Sequence, residues 1–216
     1  MLFKKYLKQT LIIINSQKIP TYIPLVVYYI LLPILNYIEF RKYGIGYELY
    51  NNIVTFAQIF IPLFSTWNGM INIKDHIEGH GREVLYINNK NHDLCVFFIS
   101  ATINVICLLP LFTIYSVLFK NMIFECIRLM LFILFFCSLA MSVVILTNSL
   151  ALTFSILFLY TIFSVFGDNI NSLFLYFNTD IVNVHIILYN NIPLVLIGVL
   201  LMCIVITIRK RKRKYT

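Results

Sequence analysis

The residues able to do chemistry are few, and most gather in one stretch, KDHIEGHGREVLYINNKNHD at positions 74–93. His76 and His80 stand four apart with Asp75 and Glu78 beside them, a spacing that on a helix would turn two imidazoles toward one metal ion. Gly79 and Gly81 interrupt such a helix, and neither a third strong ligand nor an outer partner for the rings is at hand. These read as solvated loop histidines, and no metal site is expected. His92 and His185 are isolated. The five cysteines, Cys95, Cys107, Cys126, Cys137 and Cys203, are odd in number, form no CxxC and, Cys126 apart, lie in long apolar runs. They read as small membrane-buried hydrophobes rather than a disulfide framework. The sequence holds no Gly-x-Ser-x-Gly and no GxxxxGK[ST]. Any ATP-driven work would therefore need a second chain to hydrolyse the nucleotide, and no catalytic residue or cofactor is assigned to this one.

The elements that must position these residues follow from composition. Of 216 residues, 60% are hydrophobic and 12% charged, and mean hydropathy is +0.87. Soluble domains run near about 45–50% apolar and about 25% charged. A domain this small cannot hide so much apolar surface from water. The expected solvent is lipid, and the expected fold is all-α: a single polytopic domain, residues 1–216, with six transmembrane helices. The apolar segments are 19–38, 53–73, 94–119, 129–146, 150–166 and 192–208, each near the length that crosses roughly 30 Å of hydrocarbon. Only Thr147, Asn148 and Ser149 separate the fourth from the fifth, which predicts a tight helical hairpin. Pro33, Pro62 and Pro110 should kink their spans without ending them. Tyr22, Tyr37, Trp67 and Tyr160 suit an interfacial belt.

Three flanking segments complete the plan. Residues 1–18 place Leu2, Phe3, Tyr6, Leu7, Leu11, Ile13 and Ile14 on one stripe and Lys4, Lys5, Lys8 and Gln9 on the other, the pattern of an interfacial amphipathic helix. That stretch lacks the long core and cleavage site of a secretory signal, so its retention is expected. Residues 167–191 begin with Gly167 and Asp168 and hold two short apolar pieces, Ile170–Phe177 and Ile181–Tyr189, parted by Asn178, Thr179 and Asp180. Neither piece can span; they read either as outer re-entrant half-helices or as one interfacial helix. Residues 209–216 form a basic tail, which fits topology fixing and contact with anionic lipid better than nucleic acid.

Orientation follows from the basic residues. With both termini cytoplasmic, Lys4, Lys5, Lys8, Lys18, Lys74, Arg82, Lys90 and Arg209–Lys214 make 13 inside, against four outside: Arg41, Lys42, Lys120 and Arg128. Acidic residues divide four inside (Asp75, Glu78, Glu83, Asp93) and five outside, for a net +9 and −1. A multi-pass protein of the cell membrane is expected. No ionisable residue falls in mid-span; Glu125 and Arg128 come nearest, one turn apart and able to pair. That weighs against proton-coupled carriers, light-driven pumps, voltage sensors and intramembrane proteases.

The loop 74–93 combines Asp75, Glu78, Arg82 and Glu83 with an apolar cluster at Val84, Leu85 and Ile87, which suits a docking knob for a soluble partner as well as it suits a connector. An amphipathic N-terminal helix, two spans, a loop of the form E-x-x-G-R-E-V-L, two spans, a tight turn, a fifth span, short outer pieces and a sixth span together resemble the membrane subunit of an ABC type-2 transporter. Glu78, Gly81, Glu83 and Leu85 match that family's loop pattern, although Ile87-Asn88-Asn89 stands where the family often has proline. The outer segment is similar to the re-entrant pair carried before the last span.

The resemblance implies a permease subunit paired with a second membrane subunit, identical or related, and with two ATP-binding subunits that hold ATP and magnesium. Asp75, His76, Glu78, Gly81, Arg82, Glu83 and Leu85 would form the coupling segment on the ATPase. The Phe- and Leu-rich spans favour export of a hydrophobic or amphipathic cargo, such as a peptide, drug or lipid-like molecule. Small size and high hydrophobicity resemble the antimicrobial-peptide, or lantibiotic, immunity exporters. Two other readings stay open: a membrane-embedded peptide-processing enzyme using His76 or His80 with Cys95, and a substrate-capturing subunit of an energy-coupling transporter.

Overall fold

The computed structural model describes residues 6–8, 10–12, 14, 19–78, 92–119, 121–167, 176–177, 182 and 184–212. Every element among them is a helix. Residues 6–8, 10–12 and 14 are helical, with the Thr10 hydroxyl turned inward onto the Tyr6 carbonyl (2.9 Å) and Leu11 and Ile12 exposed. Helix α1 runs Ile19–Val26, widens through a π turn at Val27–Leu31 and continues as Leu32–Tyr43. Then come α2 (Tyr47–Asn72), a single turn α3 (Lys74–Ile77), α4 (His92–Leu118), α5 (Met122–Thr147) and α6 (Leu150–Phe166). Helix α7 begins at Val184–Ile186, passes a π turn at Ile187–Asn191 and ends as Ile192–Lys212.

Among the described residues four helices are long and apolar enough to cross a membrane: Tyr22–Tyr43, Leu94–Leu118, Met122–Thr147 and Val184–Ile208. Helix α6 is apolar but has 17 residues, about 25 Å at 1.5 Å per residue. Helix α2, with 26 residues, is long enough but carries Gln58, Ser65, Thr66, Asn68 and Asn72 on its buried face. It packs against α1, α4, α5 and α6, and so can carry polar groups that lipid would not tolerate.

Sequence and structure differ at the helix ends. The apolar segment expected to open at residue 129 starts at Met122, which draws Glu125 and Arg128 inside α5. The piece Ile181–Tyr189 is not a separate half-helix, because Val184–Asn191 is continuous with α7; Tyr176 and Phe177 are not helical. Asn190 and Asn191 do not break the chain because a π turn absorbs them. Both π turns end two residues before a proline, Pro33 and Pro193. Proline lacks an N–H and its ring crowds the carbonyl four residues back. The residue before each proline instead bonds five back, Leu32 to the Val27 carbonyl and Ile192 to the Ile187 carbonyl. The widened turn removes the clash without breaking the rod.

The α5–α6 turn is as tight as its three residues demand. Asn148 takes a left-handed conformation (φ 50°) and its N–H bonds the Val144 carbonyl, a backbone state asparagine tolerates better than most residues. The turns at Gly44–Gly46, at Asn121 and at Asn148 make α1, α2, α4, α5 and α6 alternate in direction. One end of the bundle therefore holds Gly44 and Asn121, and the other Asn148 and the start of α1. Close approach is permitted by Gly69, whose added Cβ would lie 2.7 Å from the Phe97 ring, and by Gly198, 2.8 Å from Phe135.

Candidate functional site

Helix α2 is tied to α1, α4, α5 and α6, and its ties run from one end of the bundle to the other. At the Gly44 end, Tyr50 donates its hydroxyl to Glu125 Oε1 (2.7 Å) and rests edge-on against Phe119. Glu125 Oε2 meets Arg128 Nη2 at 2.5 Å, with side chains 1% and 0% exposed. A carboxylate and a guanidinium at i, i+3 on α5 thus neutralise each other where neither could stand alone. Nearby, Asn36 of α1 donates to the Tyr115 hydroxyl (2.7 Å), and Tyr29 donates to the Cys107 carbonyl. Glu39 accepts from Asn52 (2.9 Å) and pairs with Lys42 (3.2 Å) at the surface.

Between α2 and α4 lies a polar ladder. Asn68 donates to Asn104 Oδ1 (3.0 Å), Asn104 donates to the Ser65 carbonyl (3.0 Å), and Asn72 donates to Ser100 Oγ (2.7 Å). All five residues are buried. In hydrocarbon such groups must find partners on a neighbouring helix, so the ladder fixes the register of α2 against α4.

At the Asn148 end, α2 runs through the buried Ile73 into α3, whose Ile77 is also buried. They lever the chain back so that Glu78, directly after α3, reaches the start of α6. Glu78 Oε1 accepts the Leu150 N–H at 2.8 Å, while Ser149 Oγ accepts the Leu152 N–H at 3.4 Å. Two otherwise orphaned amides of α6 are satisfied, and a carboxylate faces the positive end of the helix dipole. Trp67 reinforces the corner by donating to the Pro20 carbonyl (3.0 Å) and packing edge-on against Phe154.

The residues expected to couple to a partner are thus only partly on view. Asp75 and His76 lie on α3, and Glu78 is exposed and caps α6. Gly81, Arg82, Glu83 and Leu85 lie outside the described residues, as does His80. Cys95 is half-buried in α4. Of the outer segment, Gly167 ends α6 half-buried, whereas Asp168, Asn178 and Asp180 lie outside the described residues. Its Tyr176 is 1% exposed and wedged among Phe132, Phe136 and Tyr160, with centroids 5.2, 5.0 and 5.8 Å away. Phe132 and Phe136 lie about 15 and 21 Å along α5 from Met122 at 1.5 Å per residue, so the chain after α6 returns deep into the bundle. Val182 is buried as well.

Trp67 and Tyr160 are half-buried and make contacts within the bundle, while Tyr22 and Tyr37 are exposed. Glu125 and Arg128 are a buried pair inside a helix rather than charges at its entry. Among the described residues no group of three His, Cys, Asp or Glu side chains could hold a metal. The ladder has a signal in the sequence: Ser65, Asn68 and Asn72 in one span and Ser100 and Asn104 in the next stand at one-turn spacing. No protein-family model matches the chain, no curated protein matches it, and no solved structure matches it.

Proposed function

We propose that this chain is the membrane-spanning permease subunit of an ATP-driven transporter of the ABC type-2 kind, with α1, α2, α4, α5, α6 and α7 as its six spans and the Asn148 end in the cytoplasm. The observation that carries the reading is the hydrogen bond from the Leu150 N–H to Glu78. A segment fit to dock on a soluble ATPase is useful only if its displacement reaches the membrane helices. Here the segment following α2 is fastened to the first residue of α6, so a push on residues 74–87 would move the α5–α6 hairpin. The deep return of the chain at Tyr176 supports an outer re-entrant segment before the last span.

In this reading two copies, or this chain and a related one, pair with two ATP-binding subunits that bind ATP and magnesium. Asp75, His76, Arg82, Glu83 and Leu85 meet the ATPase, with Gly81 letting the segment bend. The chain itself is not an enzyme, and its cargo is hydrophobic or amphipathic, in keeping with Phe- and Leu-rich helices. Export of an antimicrobial peptide is the narrower form of the proposal.

Affinity purification of the tagged chain from its native membrane tests it. An ATP-binding protein should co-purify with the wild type and be lost from the Arg82→Glu, Glu83→Lys double variant, which should still reach the membrane. Recovery of the wild-type chain with no ATPase would overturn the proposal.

A further inference from the structure

Three helices are imperfect at one level of the bundle. Helix α1 widens there into the π turn Val27–Leu31 ahead of Pro33, and α2 and α4 carry Pro62 and Pro110 in their interiors. Pro62 has no N–H to offer the Gln58 carbonyl, and Pro110 has none for the Ile106 carbonyl. Two consecutive tyrosines of the π turn fix the level. The buried Tyr28 donates its hydroxyl to the Ile61 carbonyl (3.4 Å), beside Pro62, and Tyr29 donates to the Cys107 carbonyl, next to Ile106. The three defects therefore fall within about two turns of one another. Ser65 and Thr113 turn back onto the carbonyls of Pro62 and Pro110 (2.8 and 2.7 Å), a local bond that itself bends helices. Helices α5 and α6, by contrast, hold no proline, no glycine and no π turn.

On each side of this layer the three helices are tied together. Toward the Gly44 end, Asn36 joins α1 to Tyr115 of α4, and Glu39 joins it to Asn52 of α2. Toward the Asn148 end, the asparagine ladder joins α2 to α4, and Trp67 joins α2 to the start of α1. The Gly44-side block is fastened to α5 by the buried bond of Tyr50 to Glu125. The other block meets α6 through the exposed Glu78 cap and the edge-on contact of Trp67 with Phe154.

We propose that the layer is a hinge: the Asn148-side halves of α1, α2 and α4 swing as one body against the α5–α6 hairpin, with Tyr28 and Tyr29 keeping the three bends in step. Helices bend where the hydrogen-bond ladder lacks a rung, at prolines and π turns. Unlinked defects would let each helix bend alone. Here the bends share a level, two hydroxyls connect them, and a cross-braced block lies on either side. Asn72, the last residue of α2, is about 16 Å from Ile61 at 1.5 Å per residue. A change of about 20° at the layer, the size of an ordinary kink, carries it about 6 Å. The inference rests on the packing of the bundle and does not depend on the transport reading.

Distance measurements by electron paramagnetic resonance on the full chain in lipid nanodiscs, with genetically encoded nitroxide side chains at exposed positions, test the hinge. Lys74 paired with Leu146 reads the Asn148 end, and Tyr47 paired with Ile123 reads the Gly44 end. Tyr22 paired with Thr102 reads whether α1 and α4 move together. The first pair should give a distribution about 6 Å broader than the second, and the third should be as narrow as the second. A first pair no broader than the second would overturn the proposal. Pro62→Ala with Pro110→Ala supplies both missing N–H groups and favours helix, so it should narrow the first pair; an unchanged breadth would overturn the layer as the place of bending. Tyr28→Phe with Tyr29→Phe keeps the rings and removes the hydroxyls, and should broaden the third pair. An unchanged third pair would overturn the coupling through the tyrosines. The comparison of the first two pairs uses no substitution beyond the labels, so a variant that fails to fold cannot blunt the test.

Discussion

Glu125 and Glu78 do similar work at opposite ends of the bundle, in opposite surroundings. Each joins α2, or the turn that follows it, to the α5–α6 hairpin. Glu125 is sealed between Arg128 and Tyr50 with 1% of its side chain exposed, whereas Glu78 is exposed and touches α6 through one backbone amide. The buried carboxylate has no water to fall back on, so losing its partner leaves a charge stranded in a medium that cannot solvate it. The exposed one exchanges a protein amide for water at little cost. One end of the hairpin is thus riveted and the other clipped, and a segment meant to transmit movement should sit at the clipped end.

Substitutions at the two ends should break or sharpen this contrast. The largest effect belongs to Glu125→Ala, which removes the buried carboxylate facing Arg128 and should destabilise the detergent-solubilised protein by about 3–5 kcal/mol, read as a lowered thermal midpoint. The double change Glu125→Leu, Arg128→Met should recover most of that loss, because no charge then remains to be buried. An intermediate effect is expected in the ladder. Asn104→Leu removes the partner of Asn68 and the donor to Ser65, and should cost about 1 kcal/mol by the same measurement. At the clipped end, Ser149→Ala should cost about 1 kcal/mol or less, and Glu78→Gln less again, its effect vanishing at high salt. A Glu78→Gln protein as unstable as Glu125→Ala would erase the distinction between rivet and clip.

Much of the fold was legible because hydrophobic length is a strong signal in lipid. The Thr147–Asn148–Ser149 hairpin could hardly be anything else, since three residues between apolar runs leave room only for a reversal. The pairing of Glu125 with Arg128 followed from helical spacing. Their burial did not, because a window of hydropathy ends where the first charges appear, whereas a helix continues while its backbone bonds can form. Helix α2 shows the converse. Its polar face lowers its hydropathy, yet that face is what ties the bundle together. The cap on Leu150 was out of reach for another reason. It joins residues 72 positions apart, and no local pattern around Glu78 specifies which helix end its carboxylate will find. Tyr176 belongs to the same class, its depth set by an aromatic pocket assembled from α5 and α6.

The two π turns have a consequence for how related chains would line up with this one. Each inserts one residue into an otherwise α-helical rod, which rotates everything beyond it by about 100° about the axis. A chain of the same fold with another residue in place of Pro33 or Pro193 has no ring to accommodate and could close the turn by omitting one residue. A single-residue gap just ahead of either proline is then the expected mark of shared architecture, and an ungapped alignment through that turn would pair residues from different faces of the helix.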